Sequence, residues 1–275
     1  MKTFLVTGAN SGVGFEVARG LVAAGHGVVL AVRDGRRGEA AMALLKREHP
    51  AAEVKVVTVD LSDLASVRGL EVEGLALDGV VNNAGIAFEP LRLTAERVHA
   101  QFATNHLGHF VLTARLLPAL ERRPEARVVT VASTIARRGK FVPAEVDGTG
   151  FSSARAYAQS KLANVFFGVE LDRRLRARSS RVRSVLCHPG LPATPMQQKA
   201  RGPIGWVVRS AAAVFGKPPV VGAAAVLEAL LGAVEGGVMV GPGPRVEPVW
   251  PSMRDVAGTQ ALWELSERIS GESLR

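Results

Sequence analysis

The chain is poor in several residue types that would announce other kinds of protein. It has one cysteine, Cys187, in 275 residues. No intramolecular disulfide can form, which fits a reducing compartment without requiring one. It has one tyrosine, Tyr157. No apolar run reaches the roughly 18 residues of a membrane-spanning helix; residues 204–216 are broken by Arg209 and 220–234 by Glu228. The opening Met1–Val6 reaches Gly8 too soon for the apolar core of an export signal, so a cytoplasmic location is the default expectation. Hydrophobic residues make up 47% and charged residues 21%. That balance excludes disordered, collagen-like and disulfide-scaffold classes, and the length suits one α/β domain.

Acidic residues are outnumbered, giving a net charge of +9 and a pI near 10.5. Such a balance invites a nucleic-acid reading. The densest cluster, Arg173, Arg174, Arg176, Arg178, Arg181 and Arg183, falls at the end of an expected helix, where cations suit the dipole. It contains no aromatic residue for base stacking. A solvated basic face is the simpler reading, and no nucleic-acid partner is expected.

Along the chain, short Val/Leu-rich runs alternate with helical periodicity. Strands are expected at Lys2–Val6, Gly27–Val32, Glu53–Val59, Asp78–Val81, Arg127–Val131, Arg181–Cys187 and Gly237–Val240. Helices are expected at Gly12–Ala24, Arg36–Glu48, Leu61–Leu70, Thr94–Leu120 with a break near Gly108, Ala154–Ala177, Val220–Val234 and Thr259–Ile269. Continuous apolar strands separated by helices predict a doubly wound α/β fold of the Rossmann type. Its mostly parallel sheet would have about seven strands, with helices on both faces. No linker divides the chain, so residues 1–275 read as one domain. The Pro-, Gly- and Ala-rich segment 191–218 is an excursion from it.

The first strand-to-helix turn is Thr7-Gly8-Ala9-Asn10-Ser11-Gly12-Val13-Gly14. Glycines allow a tight turn and close backbone approach, and the helix that follows offers free N–H groups and a positive dipole end to a pyrophosphate. Dinucleotide contacts are therefore expected from Gly8, Asn10, Ser11, Gly12, Val13 and Gly14. The selector for the adenosine ribose should end the second strand, which reads Ala31-Val32-Arg33-Asp34. A carboxylate there favours NAD, and a guanidinium favours the 2′-phosphate of NADP. Arg33 comes first, and Arg36 and Arg37 follow closely, so NADP is preferred over NAD. Asp34, 20 residues after Gly14, is the competing acid.

Tyr157 and Lys161 lie four apart on an expected helix and share a face. Reducing a carbonyl needs a proton donor for its oxygen, and oxidising an alcohol needs a base. Free tyrosine titrates near pH 10; bringing it to about 7 takes roughly 4 kcal/mol of differential interaction. Two cations, a lysine and a nicotinamide, are the natural source. A surface helix carrying a Tyr and a Lys gives the same spacing.

Thr7–Gly14, Asn82-Asn83-Ala84-Gly85, Ser133, Tyr157-Ala158-Gln159-Ser160-Lys161 and Pro189-Gly190 occur in that order. Together they resemble the short-chain dehydrogenase/reductase family, from about residue 3 to 195. Arg33, Thr104–Phe110 and Ser160–Asn164 are similar to its branch of retinol dehydrogenases and WW-domain oxidoreductases. The resemblance implies that Tyr157 is the acid/base. It gives Lys161 the nicotinamide ribose and the lowering of the tyrosine pKa, and gives Ser133 the substrate oxygen. It makes Asn105 an interruption of its helix that holds a water linking Lys161 to solvent. Asp60, with the adjoining Leu61, would meet the adenine. Asn83, Ala84 and Gly85 would pack at the cofactor, and Pro189, Gly190 and Thr194, with a weaker contribution from Ile86, would line the nicotinamide. Read without the family, Asp60 is a helix cap and Asn105 a satisfied helix-interior amide.

The histidines carry less. His106 and His109 lie three apart on a helix but have no third ligand nearby, so no metal is expected. His188 and Cys187 read as structural. The segment 191–218 is apolar, with Leu191, Met196, Ile204, Trp206, Val207, Val208, Val214 and Phe215. It follows a strand end where ligands bind in open α/β sheets, and reads as a cover for a lipophilic carbonyl or alcohol. An interface in a homo-oligomer, or a membrane contact, would bury the same residues. The expectation is an NADP-dependent alcohol dehydrogenase or carbonyl reductase. The alternative is a regulator of the same fold that binds NADP without catalysis; such proteins typically lose the Tyr or the Lys, and both are present.

Overall fold

The computed structural model describes residues 1–71, 74–190, 218–248 and 250–274. Among these residues eight strands form one sheet: β1 Thr3–Thr7, β2 Gly27–Val32, β3 Val54–Thr58, β4 Gly79–Asn82, β5 Arg127–Val131, β6 Arg183–Cys187, β7 Met239–Gly241 and β8 Arg245–Val246. Their spatial order is β3-β2-β1-β4-β5-β6-β7-β8. All neighbours pair in parallel except β7 and β8, which are antiparallel. The order reverses between β1 and β4, so a crevice opens at their carboxyl ends, where open α/β sheets bind ligands.

The helices are α1 Gly12–Ala23, α2 Gly35–Glu48, α3 Leu64–Arg68, α4 Ala100–Phe102, α5 Gly108–Glu121, α6 Ser153–Ala177, α7 Pro219–Leu231 and α8 Val256–Ser270. Alternate strand residues feed two cores. Leu5, Val29, Val80, Val128 and Leu186 pack with α5, α6 and α8. Phe4, Val6, Val28, Val81, Val129 and Val185 pack with α1, α2 and α7. On the first face Trp263 of α8 stacks on Phe167 of α6 at 6.1 Å and lies edge-on to Phe110 at 5.3 Å.

The structure departs most from expectation in three places. β8 is an eighth strand that periodicity did not predict, being two exposed residues in a Pro-rich loop. The helix expected from Leu61 begins at Leu64, because Asp63 caps it by accepting from the Ala65 N–H at 3.0 Å. The helix expected from Thr94 begins at Ala100: Leu93 bridges to His99, whose Nδ1 accepts from the Phe102 N–H. Its break is a π-helical turn over Ala103–Leu107, running into Gly108. A side chain at Gly108 would strike the carbonyl of Leu61, so glycine there lets α5 approach that loop. The expected cover 191–218 falls outside the described residues except for Pro218.

The basic cluster on α6 is spent largely on ion pairs. Arg173 and Arg174 both bind the buried Glu170, at 2.6 and 2.8 Å, and Arg176 binds Asp172 at 2.6 Å. Burial pushes the Glu170 carboxyl up, but the two guanidiniums outweigh it and hold it below the usual range.

Candidate active site

The glycine-rich turn leaves β1 with Gly8 at φ 65° and Gly12 at φ 60°, both in the left-handed region. A side chain at Gly14 would run into Asn83 Nδ2 and the Gly8 carbonyl, and one at Gly8 would lie 3.0 Å from Ala84 Cα. Asn83 Nδ2 donates to the Thr7 carbonyl at 2.8 Å, and the Asn83 and Ala84 N–H groups both donate to Thr7 Oγ1 at 2.9 Å. The turn after β1 and the Asn82–Gly85 run after β4 are thus one interlocked unit. Val13 and Gly14 are buried beneath it. α1 starts with Ser11 as its N-cap, and that side chain makes no capping bond. The helix end therefore presents donors and an exposed hydroxyl, with no acid in its first turn, which fits a phosphate.

At the end of β2, Asp34 caps α2, its Oδ1 accepting from the Arg37 N–H at 3.2 Å. Arg33 is exposed and, among the described residues, engages no partner. Arg37 joins Asn10, Phe15, Ala40, Ala41 and Leu44 around a hollow of about 220 Å³ beside the glycine turn. Asp60 holds its own loop: Oδ1 accepts from the Ser62 N–H and hydroxyl, both at 2.8 Å. Leu61 is buried against Gly108.

Tyr157, Lys161, Ser133 and Asn105 come together beside this unit. Ser133 follows β5 and caps a short 3-10 turn, Thr134–Arg138. Burial pushes the Tyr157 phenol up to about 12, against a hydrogen bond with Ser133 that pulls it down. Tyr157 as a whole is half-buried, and its ring lies tilted against Phe88 with centroids 5.3 Å apart. Lys161 is buried; burial pushes it down to about 8, and Nζ donates to the Val131 carbonyl at 3.0 Å. The net shift of the tyrosine is thus upward. Enclosure of the phenol outweighs the Ser133 bond, while Lys161 is itself desolvated and aimed at the Val131 carbonyl of β5.

Asn105 sits on the π turn. Its Oδ1 accepts from the Ile86 N–H at 2.8 Å, and its Nδ2 donates to the Ile86 carbonyl and to Ser160 Oγ, both at 2.9 Å. Ser160 Oγ donates to the Tyr157 carbonyl at 2.8 Å. The side chain of Asn105 therefore fastens the loop after Gly85 to the helix that carries Tyr157. A side chain at Gly85 would lie 3.2 Å from Asn105 Oδ1 and 3.6 Å from Lys161 Nζ, which shows how closely these groups meet.

At the end of β6, Gly190 has φ 76°, and its N–H donates to His188 Nδ1 at 3.3 Å. His188 Nε2 contacts Glu247 Oε1 at 2.8 Å; Glu247 Oε2 accepts from Trp250 Nε1 at 2.9 Å and from Arg137 at 3.2 Å. Glu247 thus ties the loop after β5 to the loop after β6. Pro189 packs where a side chain on Gly222 would strike it. Thr194 lies outside the described residues. Cys187 is buried, its thiol pushed up to about 12 by burial, and reads as inert core.

Residue spacing did not point to Phe88 or Glu247. Phe88 has a positive φ, 59°, which no local motif signals. Glu247 lies in a loop without periodicity. His106 and His109 point to different partners, His106 to Ser266 of α8 and His109 to Thr7.

A family model for short chain dehydrogenases matches residues 2–204. The chain belongs to that family. Mouse polyprenol dehydrogenase is 38% identical over 78% of this chain and 66% of its own length. Bovine retinol dehydrogenase 12 is 38% identical over 69% of this chain and 61% of its own. The chain thus spans less than two thirds of those two relatives. Human retinol dehydrogenase 14 is 33% identical over 98% of this chain and 86% of its own. Within the family, the short-chain dehydrogenase resembles the retinol-dehydrogenase branch. A solved structure of an uncharacterized protein from Mycobacterium Paratuberculosis superposes with TM-score 0.78 at 36% identity, over 100% of this chain and 95% of that one. The fold is that of the family's nicotinamide-binding oxidoreductases. Among the described residues, no helix is long and apolar enough to cross a membrane.

Proposed function

We propose that this short-chain dehydrogenase is an NADP-dependent carbonyl reductase or alcohol dehydrogenase acting on a lipophilic substrate, with Tyr157 as the acid/base. The observation that carries the reading is the convergence of Tyr157, Ser133, Lys161 and Asn105 beside the interlocked glycine turn. A bound nicotinamide supplies or accepts the hydride. Ser133 and Tyr157 hold the substrate oxygen between their hydroxyls. A phenol pushed up to about 12 keeps its proton at neutral pH, so Tyr157 is poised to give that proton to a carbonyl oxygen as it gains negative charge. In the oxidative direction the cationic nicotinamide ring would favour the phenolate, and Tyr157 would take the alcohol proton. Lys161, with Asn83, Ala84 and Gly85, would hold the nicotinamide side, and Pro189, Gly190 and Thr194 its amide. Asp60 and Leu61 would border the adenine.

The NADP preference rests on Arg33, which is exposed and engages no partner among the described residues, while Asp34 is occupied as a helix cap. Arg37, beside Asn10, is a second cation at the same end. The lipophilic substrate rests on the apolar composition of 191–218 and on the names of relatives that act on polyprenol and retinol. A panel of lipophilic and polar carbonyls, each with NADPH and NADH, tests all three parts. Turnover of bulky apolar ketones or aldehydes with NADPH is expected. Activity confined to small charged carbonyls would remove the lipophilic part, equal use of NADH would remove the Arg33 part, and binding without any turnover would favour the regulator.

A further inference from the structure

His109 is buried at the start of α5, just after the π turn, at 1% exposure, where an apolar residue would pack more cheaply. Its Nδ1 lies 3.0 Å from the carbonyl oxygen of Asn105, and its Nε2 lies 2.9 Å from Thr7 Oγ1. A carbonyl only accepts, so Nδ1 must carry the hydrogen. A buried imidazole is neutral here, held down at about 4 chiefly by its burial, with the bond to Asn105 opposing and Lys161 adding to the shift. Nε2 is then a bare acceptor. Thr7 Oγ1 already accepts from the N–H groups of Asn83 and Ala84, and its one hydrogen has two possible acceptors, the Val81 carbonyl at 3.2 Å and His109 Nε2 at 2.9 Å. The Val81 carbonyl is also served by the Asn83 N–H at 3.0 Å, while Nε2 facing an unprotonated oxygen would be repulsive. The hydrogen therefore goes to His109.

We infer that His109 is a positioning residue that couples the cofactor end of the site to the chemical end: through Nε2 it fixes the Thr7 hydroxyl on which the glycine turn and Asn83-Ala84 are built, and through Nδ1–H it fixes the carbonyl of the π turn that carries Asn105. The inference deepens the proposed function and rests on it for its kinetic arm only. It makes the two contacts separable. The amide nitrogen of an asparagine stands where Nδ1 stands but cannot reach Thr7. The terminal amide of a glutamine reaches as far as Nε2 but bypasses the Asn105 carbonyl.

The test compares His109→Asn with His109→Gln in the full chain. NADPH affinity is read by cofactor fluorescence, and kcat by turnover of whichever carbonyl the substrate panel identifies. His109→Asn should weaken NADPH binding about five- to tenfold, the size of one net buried hydrogen bond, and lower kcat by less than that. His109→Gln should do the reverse, lowering kcat about five- to tenfold with a smaller change in affinity. The same loss in both parameters for both variants, or no loss in folded variants, overturns the coupling and leaves His109 as a core residue. If neither variant folds, nitrogen-15 NMR of the unmodified protein decides. His109 must show the Nδ1–H tautomer at neutral pH, and an Nε2–H or doubly protonated ring overturns the inference. If no carbonyl is turned over at all, the proposed function fails, while the affinity comparison and the tautomer still decide the role of His109.

Discussion

At the phosphate end of the crevice the work is done by backbone. Gly8, Gly12 and Gly14 shape the turn, the start of α1 supplies donors, and the side chains that face outward, Ser11 and Arg33, are exposed. At the chemical end the reverse holds. Asn105, Ser160, Lys161, Asn164 and His109 are buried, and each is held by hydrogen bonds to a neighbouring element. Both Lys161 Nζ and Asn164 Nδ2 end on one carbonyl, that of Val131, at 3.0 and 3.1 Å. The two ends are therefore vulnerable to opposite changes. A backbone site is broken by adding atoms, whereas a buried polar site is broken by removing a partner and leaving the other unsatisfied.

The sharpest break should come at Tyr157. Tyr157→Phe fills nearly the same volume and deletes the proton carrier. Turnover should fall 10²–10⁴-fold, the usual worth of general acid–base catalysis, with NADPH affinity retained. A Phe variant keeping more than about a tenth of the rate would remove Tyr157 from the chemistry.

Next in size is a pH effect on stability that belongs to the chemical end alone. An unfolded lysine keeps its proton up to about pH 10.5, and folded Lys161 only to about 8. Between those values the unfolded state binds more protons, so stability of the cofactor-free protein should rise with pH there, by up to about 3 kcal/mol from this group. Tyr157 acts oppositely but later: the folded phenol keeps its proton to about 12 while the unfolded one loses it near 10, so stability should fall above pH 10. The Cys187 thiol, raised from 9 to about 12, opposes the lysine from pH 9 upward, so denaturant midpoints should climb from pH 8 to 9 in the unmodified protein and flatten there in Lys161→Met. A climb of equal size in the variant would refute the attribution.

The phosphate end should show its weakness as selectivity. A charge-assisted pair between Arg33 and a 2′-phosphate is worth roughly 1.5–3 kcal/mol, or about 10- to 150-fold in affinity. Arg33→Ala should erase most of the preference for NADPH over NADH while leaving turnover at saturating cofactor largely unchanged. If the unmodified protein binds both cofactors equally, the ribose belongs to Asp34.

The smallest effect is expected away from both ends. Lys2 and Glu125 pair at 3.2 Å with side chains 45% and 78% exposed. Glu125→Gln should shift stability by no more than about 0.5 kcal/mol. A larger shift would mean that surface pairs rival the buried network and would undo the contrast.

Much of the scaffold was legible in residue order. β2 and β5 lie where their Val-rich runs place them, and the other long strands shift by only a residue or two, because strands buried on both faces are continuous apolar runs. β8 was not, since Arg245–Val246 is two exposed residues, too short to show an alternating pattern. The glycine turn was readable because its spacing encodes a backbone path. The bonds around Asn105 were not. The π turn that lets its side chain reach Ile86 is set by contacts with residues 19 and 55 positions away. Nor did spacing foretell the direction of the Tyr157 shift, which depends on how tightly α6 and the turn after Ser133 close on the phenol. Glu247 is a third case. A carboxylate in an irregular loop becomes the joint between Arg137 and His188 only after β7 and β8 fold back.

One further consequence follows from the scarcity of tyrosine. Tyr157 is the chain's sole phenol, so every photon absorbed by tyrosinate in this protein reports the ionisation of one oxygen, at the place where the reaction is proposed to occur. A spectrophotometric titration, silent everywhere else in the molecule, can therefore follow that single proton with and without bound cofactor.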